Sequence, residues 1–223
     1  MAKARRNVSQ RSELLYDLQE YGINPDTREI WLHGCTASEE EEGVDFRMAV
    51  MFEKNLSVIS EADDGPILIH MHSIGGNWTD GAAIYDAIKA CPCHVTILAY
   101  ANARSMSSVI LQAADTRVLT PHCHFLMHEG YYAFDGNMSS ARAEMEQAVR
   151  DTDAMIQIYA ERAVHSDYYM QKGYDEKKIV KDLYEMINKK EELYLTTRQA
   201  IRYGLCDAVL GDEGYENTKT LRG

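Results

Sequence analysis

Short apolar runs alternate with segments of helical period along the middle of this chain. Glu29–Gly34 (EIWLHG) alternates apolar and polar positions, which predicts a short half-buried strand. Val44–Ala62 places Phe46, Ala49, Phe52, Leu56 and Ile59 at three-to-four spacing, which predicts an amphipathic helix stopped by Asp63-Asp64-Gly65-Pro66. Pro66–His72 (PILIHMH) is a compact apolar run and predicts a buried strand. A tight glycine turn over Ser73–Asn77 (SIGGN) leads to a helix over Thr79–Cys91, with Ala83, Ile84, Ala87 and Ile88 on one side. His94–Tyr100 (HVTILAY) predicts a second buried strand, followed by the turn ANARS and a helix starting near Ser105. Arg117–Pro121 and His124–Glu129 predict further strands.

The last third reads as mostly helical. Met138–Val164 forms a long amphipathic pattern, preceded by a strand-like tract over Gly130–Phe134 (GYYAF), and a second helix is predicted over Glu176–Lys189. Tyr168, Tyr169 and Tyr174 are expected to pack locally. Thr196 and Gln199 have the spacing of a capping box, opening a helix that Gly204 closes. Cys206–Gly211 predicts a final short strand. Alternating strands and helices imply an α/β fold on a parallel sheet with right-handed crossovers. Sites in such folds lie at the carboxyl ends of strands, which are here the SIGGN and ANARS turns. We read residues 28–212 as one domain, residues 1–27 as an arm that is flexible or ordered by a partner, and residues 213–223 as a tail.

Composition narrows the function classes. Of 223 residues, 45% are apolar, enough for a full core. The net charge of -12 argues against a nucleic-acid binder, whose footprint is usually basic. The apolar runs are too short for a membrane-spanning helix, and the basic opening MAKARRNVSQRSE has no apolar segment behind it, so no signal peptide is expected. The five cysteines form no dense framework, which fits a reducing, cytoplasmic setting. Cys91-Pro92-Cys93 is CxC rather than a redox CxxC. His122, Cys123, His124 and His128, and the pair His70 and His72, raise a metal reading, but the spacing does not close a zinc site. Neither a metal nor another cofactor is expected.

The junction ANARSMSSVI carries the chemistry. A serine hydroxyl is a weak nucleophile until a base takes its proton. The oxyanion that forms on attack needs fixed N–H donors, which a helix N-terminus supplies. Ser105 sits where a strand turns into a helix, and the Met106 N–H points toward the same space. Gly75-Gly76 ends the neighbouring strand, where bare backbone can approach a substrate closely. His128 closes the strand HFLMHE and is placed to act as base. Read alone, Ser105 is more often a helix N-cap, and His128 more often a structural strand-end histidine. Ser107 and Ser108 read as first-turn helix residues.

In this order, the segments SIGGNWTDGAAIYDAI, ANARSMSSVILQAA, PHCHFLMHEG and YLTTRQAIRYGLCDAVL resemble the signature segments of the Clp protease proteolytic subunit (ClpP) family, over about Glu29 to Leu210. The resemblance implies a ClpP/crotonase-like spiral of β-β-α units, with a handle-like strand (GYYAF) and a long helix that join two rings. It implies Ser105 as nucleophile, His128 as general base, and Gly76 and Met106 as oxyanion-hole donors. The family's acid falls on Glu192, two residues before Tyr194, where the family has aspartate. Glu191 and Asp182 are rivals for that role. Three further departures are the long stretch His165–Glu191, the acidic run Glu39–Glu42 and Arg104. The guanidinium of Arg104 either binds substrate carboxylates or lies across the mouth of the site.

The function so implied is a serine endopeptidase that cleaves peptides or unfolded polypeptides inside homo-oligomeric rings, with a hexameric Clp ATPase as a possible partner. No nucleic-acid or membrane partner is expected. The alternatives are a phage head-maturation protease of the same fold acting on scaffold or capsid proteins, a catalytically impaired ring subunit, and an acyl-CoA enzyme of the crotonase class.

Overall fold

The computed structural model describes residues 8–34 and 43–222, so the acidic run Glu39–Glu42 lies outside the described residues. A helix, α1 (Val8–Tyr16), and a short π-helical turn (Asp17–Tyr21) precede a two-residue strand, β1 (Ile23–Asn24), antiparallel to β2 (Glu29–His33). From β2 the chain alternates through α2 (Phe46–Ala62), β3 (Ile67–Ser73), α3 (Trp78–Ala90), β4 (Val95–Arg104), α4 (Met106–Leu111), β5 (Thr116–Leu119) and β6 (His124–Met127). Four helices follow: α5 (Met138–Ala163), α6 (Asp167–Lys172), α7 (Glu176–Lys190) and α8 (Thr197–Arg202). The strand β7 (Leu193–Leu195) lies between the last two of these, and β8 (Ala208–Val209) comes after them.

The sheet runs β1-β2-β3-β4-β5-β8, parallel from β2 onward. Ten-residue β4 organises it. Its first part, Thr96–Ala99, pairs with β5, and its last part, Asn102–Arg104, leaves the main sheet to pair with β6. Against β3 the register steps from Met71↔Ala99 to Ser73↔Ala103, so extra β4 residues bulge out and twist the strand. The ANAR segment is therefore strand, where its small and polar residues predict a turn. Pairing on both sides overrides local propensity.

The α2 periodicity produces the buried face Met48, Ala49, Phe52, Asn55, Leu56 and Ile59, capped by Asp45. Phe46 opens this helix and is 66% exposed, so it does not join the core. Leu68, Leu98 and Val118 point to the other face of the sheet, since neighbouring strand residues alternate faces. A parallel sheet needs cover on both faces. Here the C-terminal residues provide part of it: Leu221 packs on that trio, and Arg222 Nε and Nη2 donate to Glu29 Oε1 at 3.0 and 2.8 Å.

The stretch 165–191 folds as α6 and α7, with α7 packed along α5. The Lys172 ammonium lies 4.3 Å from the Tyr168 ring and 4.9 Å from the Tyr174 ring, which ties this stretch together locally. The strand expected over Gly130–Phe134 is not formed. A strand needs a hydrogen-bonded neighbour, and among the described residues none runs beside this segment, whose Tyr131 is 85% exposed.

Candidate active site

Ser105 stands alone between β4 and α4 at φ 51°, ψ −129°, a conformation that costs a non-glycine residue energy and that must be held in place. Its own N–H donates to Leu126 O at 3.0 Å. Its carbonyl accepts from the Ser108 N–H at 2.9 Å and the Ser108 hydroxyl at 2.7 Å. Ser108 Oγ also contacts Leu126 O at 2.9 Å and Tyr159 Oη at 2.7 Å. Ser108 is thus a buried brace under the elbow. Sequence reasoning missed both it and Tyr159, because the partner comes from α5, fifty-one positions away. The result is a strained strand-to-helix turn that lifts the Ser105 side chain clear of the backbone. That side chain makes no cap hydrogen bond to α4.

The Ser105 hydroxyl is instead hydrogen-bonded to His128 Nε2 at 2.7 Å. His128 follows β6, and β6 pairs with the same end of β4 that carries Ser105, so the sheet register brings the serine hydroxyl and the imidazole together. Burial pushes the His128 imidazole below its ordinary 6.5. The Glu192 carboxylate pulls it upward, and Arg104 pushes it down. The net shift favours the neutral ring, the form that can accept a proton. Cys123, close by in sequence, is kept as the unreactive thiol, because burial raises its pKa to about 12.

Two backbone segments complete the cleft. Met106 is the first residue of α4, so its N–H has no intrahelical partner. Gly75 has φ 99°, and a Cβ there would stand 2.5 Å from Ser105 Cβ, so only glycine fits against the elbow. Gly76 lies in a bridge to Val44, fixed by Val44 N–H to Gly75 O at 2.7 Å and Asn77 N–H to Val44 O at 2.8 Å. A Cβ on Gly76 would meet the Val44 nitrogen at 2.3 Å. Gly76, Ser105, Met106 and His128 together line a cleft of about 480 Å³.

The acidic residues divide. Met127 pairs with Leu193 in the antiparallel β6–β7 ladder, so one further step sets Glu192 opposite His128. Its carboxylate nevertheless takes the Tyr131 hydroxyl at 3.1 Å, while the Tyr131 ring stands edge-on to His128 at 5.5 Å. No described carboxylate is hydrogen-bonded to His128 Nδ1. The direct Glu192–His128 contact implied by the family pattern is therefore not made here, because the longer glutamate side chain is held by Tyr131. Asp182 accepts from Tyr169 Oη at 2.9 Å and sits 3.9 Å from Lys172 Nζ, which occupies it elsewhere. Glu191 closes α7 at φ 59° and borders a smaller hollow beside His128.

Arg104 is not among the cleft-lining residues. It shares a register row with Leu126 and Tyr194. Its Nη2 donates to Tyr194 Oη at 2.9 Å, and its guanidinium lies 5.5 Å from that ring centroid. Its Nε is buried without a protein partner. His70 is also engaged away from the cleft, donating to Glu29 Oε1 at 2.9 Å and accepting from Tyr100 Oη at 2.7 Å.

Among the described residues no helix is long and apolar enough to cross a membrane. The chain is 26% identical over 160 residues to an ATP-dependent Clp protease proteolytic subunit of Deinococcus radiodurans, covering 71% of each chain. It is 25% identical over 198 residues to the ATP-dependent Clp protease proteolytic subunit 2 of Pseudomonas aeruginosa, covering 88% of this chain and 86% of that one. In three dimensions it superposes on a ClpP1 variant from Listeria monocytogenes with TM-score 0.66 and 20% identity, covering 88% of this chain and 96% of that one, a likeness of fold. The Clp protease family profile matches residues 41–213, and the chain belongs to that family.

Proposed function

We propose that this protein is a serine endopeptidase that cleaves peptides and unfolded polypeptides within a homo-oligomeric chamber. The observation that carries the reading is the 2.7 Å hydrogen bond from Ser105 Oγ to His128 Nε2 on a strained elbow, beside the Gly76 and Met106 backbone. In the first step Ser105 Oγ attacks the scissile carbonyl, and its proton passes to His128 Nε2. The new oxyanion faces the N–H groups of Gly76 and Met106. His128 then gives the proton to the departing amine as the C–N bond breaks, leaving an acyl-serine. Water repeats the sequence: its proton goes to His128, its oxygen bonds the acyl carbon, and the Ser105–acyl bond breaks as Oγ recovers the proton.

The relatives' names, ATP-dependent Clp protease proteolytic subunits, support an ATP-dependent partner; for this chain that partner is proposed to be a hexameric Clp ATPase. The reducing setting inferred from the cysteines supports a cytoplasmic location. The decisive experiment is reaction with a serine-directed fluorophosphonate, followed by peptide mapping. Labelling at Ser105, lost in Ser105→Ala, is expected; an unlabelled assembled particle overturns the reading. One observation favours a second reading, a catalytically impaired ring subunit: the Glu192 carboxylate is on Tyr131 rather than His128. Assembly without labelling or peptide turnover would select it.

A further inference from the structure

We propose that the cleft beside Ser105 selects a lysine or arginine side chain on the acyl side of the scissile bond, with Asp151 as the residue that reads the charge. The inference rests on Ser105 acting as the nucleophile. The cleft lining contains two carboxylates, Asp151 and Glu129, and neither lysine nor arginine. Its inner part is apolar: Met106, Val109 and Met155 line it and are themselves buried.

Helix α5 gives the direction of the subsite. Tyr159 sits behind the elbow, with its hydroxyl on Ser108. Met155 is about one turn closer to the helix N-terminus, and Asp151 about one turn beyond that, at about 5.4 Å per turn. A substrate side chain leaving an acyl-Ser105 toward α5 therefore meets methionine and valine first and a carboxylate at the far end. That sequence of surfaces fits a long methylene stem ending in a cation. It does not fit an acidic side chain, which would face Asp151 and Glu129 with no cation to offset them.

Asp151 is free to take such a partner. Its Oδ1 accepts from Gln147 Nε2 at 2.7 Å, and its Oδ2 accepts no side-chain hydrogen bond from the described residues. The adjacent cation, Arg150, is turned to Gln147 Oε1 through Nε at 3.1 Å and Nη2 at 2.8 Å rather than paired with Asp151. Asp151 is half-buried, which preserves part of the attraction that solvent would screen.

The test uses the full-length assembled protein and matched peptide amides with lysine, norleucine or glutamate on the acyl side. Norleucine keeps the stem and removes the charge. For the wild type, kcat/KM for lysine is expected to exceed that for norleucine by about tenfold, and glutamate is expected to be the poorest. In Asp151→Asn the lysine-to-norleucine ratio is expected to fall to within about twofold, and Asp151→Lys is expected to favour glutamate over lysine. Each readout is a ratio within one protein preparation, so partial loss of folded enzyme cancels. A wild-type ratio at or below one, or a ratio unchanged in Asp151→Asn, overturns the proposal. Fluorophosphonate labelling separates the two levels: a protein labelled at Ser105 without lysine preference overturns the specificity alone. One that neither labels nor cleaves any peptide overturns both readings.

Discussion

Glu192 and His128 lie one step beyond the Met127–Leu193 pair that ends the β6–β7 ladder, yet the Glu192 carboxylate is hydrogen-bonded to Tyr131 at 3.1 Å. It acts on the imidazole through its field rather than by contact. Glu192→Gln is accordingly expected to lower kcat/KM by about tenfold, well short of the roughly ten-thousandfold seen when a directly bonded triad acid is neutralised. Tyr131→Phe frees the carboxylate to turn toward His128 Nδ1 and is expected to raise kcat/KM a few-fold, about two to five. A loss of ten-thousandfold in the first variant, or a fall in the second, would show that this relationship has been misread.

The pH profile follows from the charges around His128. In the proposed mechanism His128 accepts a proton and must be neutral, so activity should rise with pH through the His128 pKa. Burial and Arg104 lower that pKa, and Glu192 raises it. The acid limb of kcat/KM is therefore expected below pH 6.5, the ordinary histidine value. Glu192→Gln removes the group that favours imidazolium and moves the limb to lower pH. Arg104→Met removes a repelling cation and moves it to higher pH. Shifts of the same sign in both variants would exclude this account.

Ser105 stores backbone strain at φ 51°. Replacement by alanine and by glycine both remove the hydroxyl, and only glycine relieves the strain. Ser105→Gly is expected to be more stable than Ser105→Ala by about 1 kcal/mol, measured by denaturant unfolding of the two inactive proteins. Equal stability would mean that the elbow is relaxed in solution.

The C-terminus is expected to contribute to stability through Glu29. Burial alone would raise the Glu29 pKa. The hydrogen bonds from Thr27, His70 and Arg222 outweigh it and hold the carboxyl below 4.5. A depressed carboxylate pKa stabilises the fold above the unfolded value, and this stability is lost as pH falls through the folded value. Arg222→Ala leaves a buried carboxylate with fewer partners. It is expected to cost about 2 kcal/mol at neutral pH, less than for a fully buried pair because Arg222 is partly exposed. Its acid unfolding should also begin at higher pH than in the wild type. Melting curves from pH 3 to 7 test both; an unchanged curve would mean that the C-terminal contact is not made in solution.

The sequence by itself determined the elements whose signal is local. Apolar alternation and three-to-four periodicity marked β2, α2, α3 and the long α5, because each buries one face or one stripe with the element's own period, and the continuous apolar run marked β3, which is buried on both faces. Glycine pairs, a strand-to-helix serine and a strand-end histidine were legible as candidate chemistry for the same reason: each is a demand on local backbone.

The tertiary structure decided what depends on distant partners. It carried β4 through Asn102–Arg104, because β3 and β6 satisfy that backbone from either side. It left Gly130–Phe134 without a strand, because no described neighbour pairs with it. It turned Ser108 from an ordinary first-turn residue into the brace between Ser105 and Tyr159. It placed Arg104 on Tyr194 instead of in the cleft, and Glu192 on Tyr131 instead of on His128. A side-chain hydrogen bond is a relation between two positions, and neither position's own neighbours in the chain encode its partner.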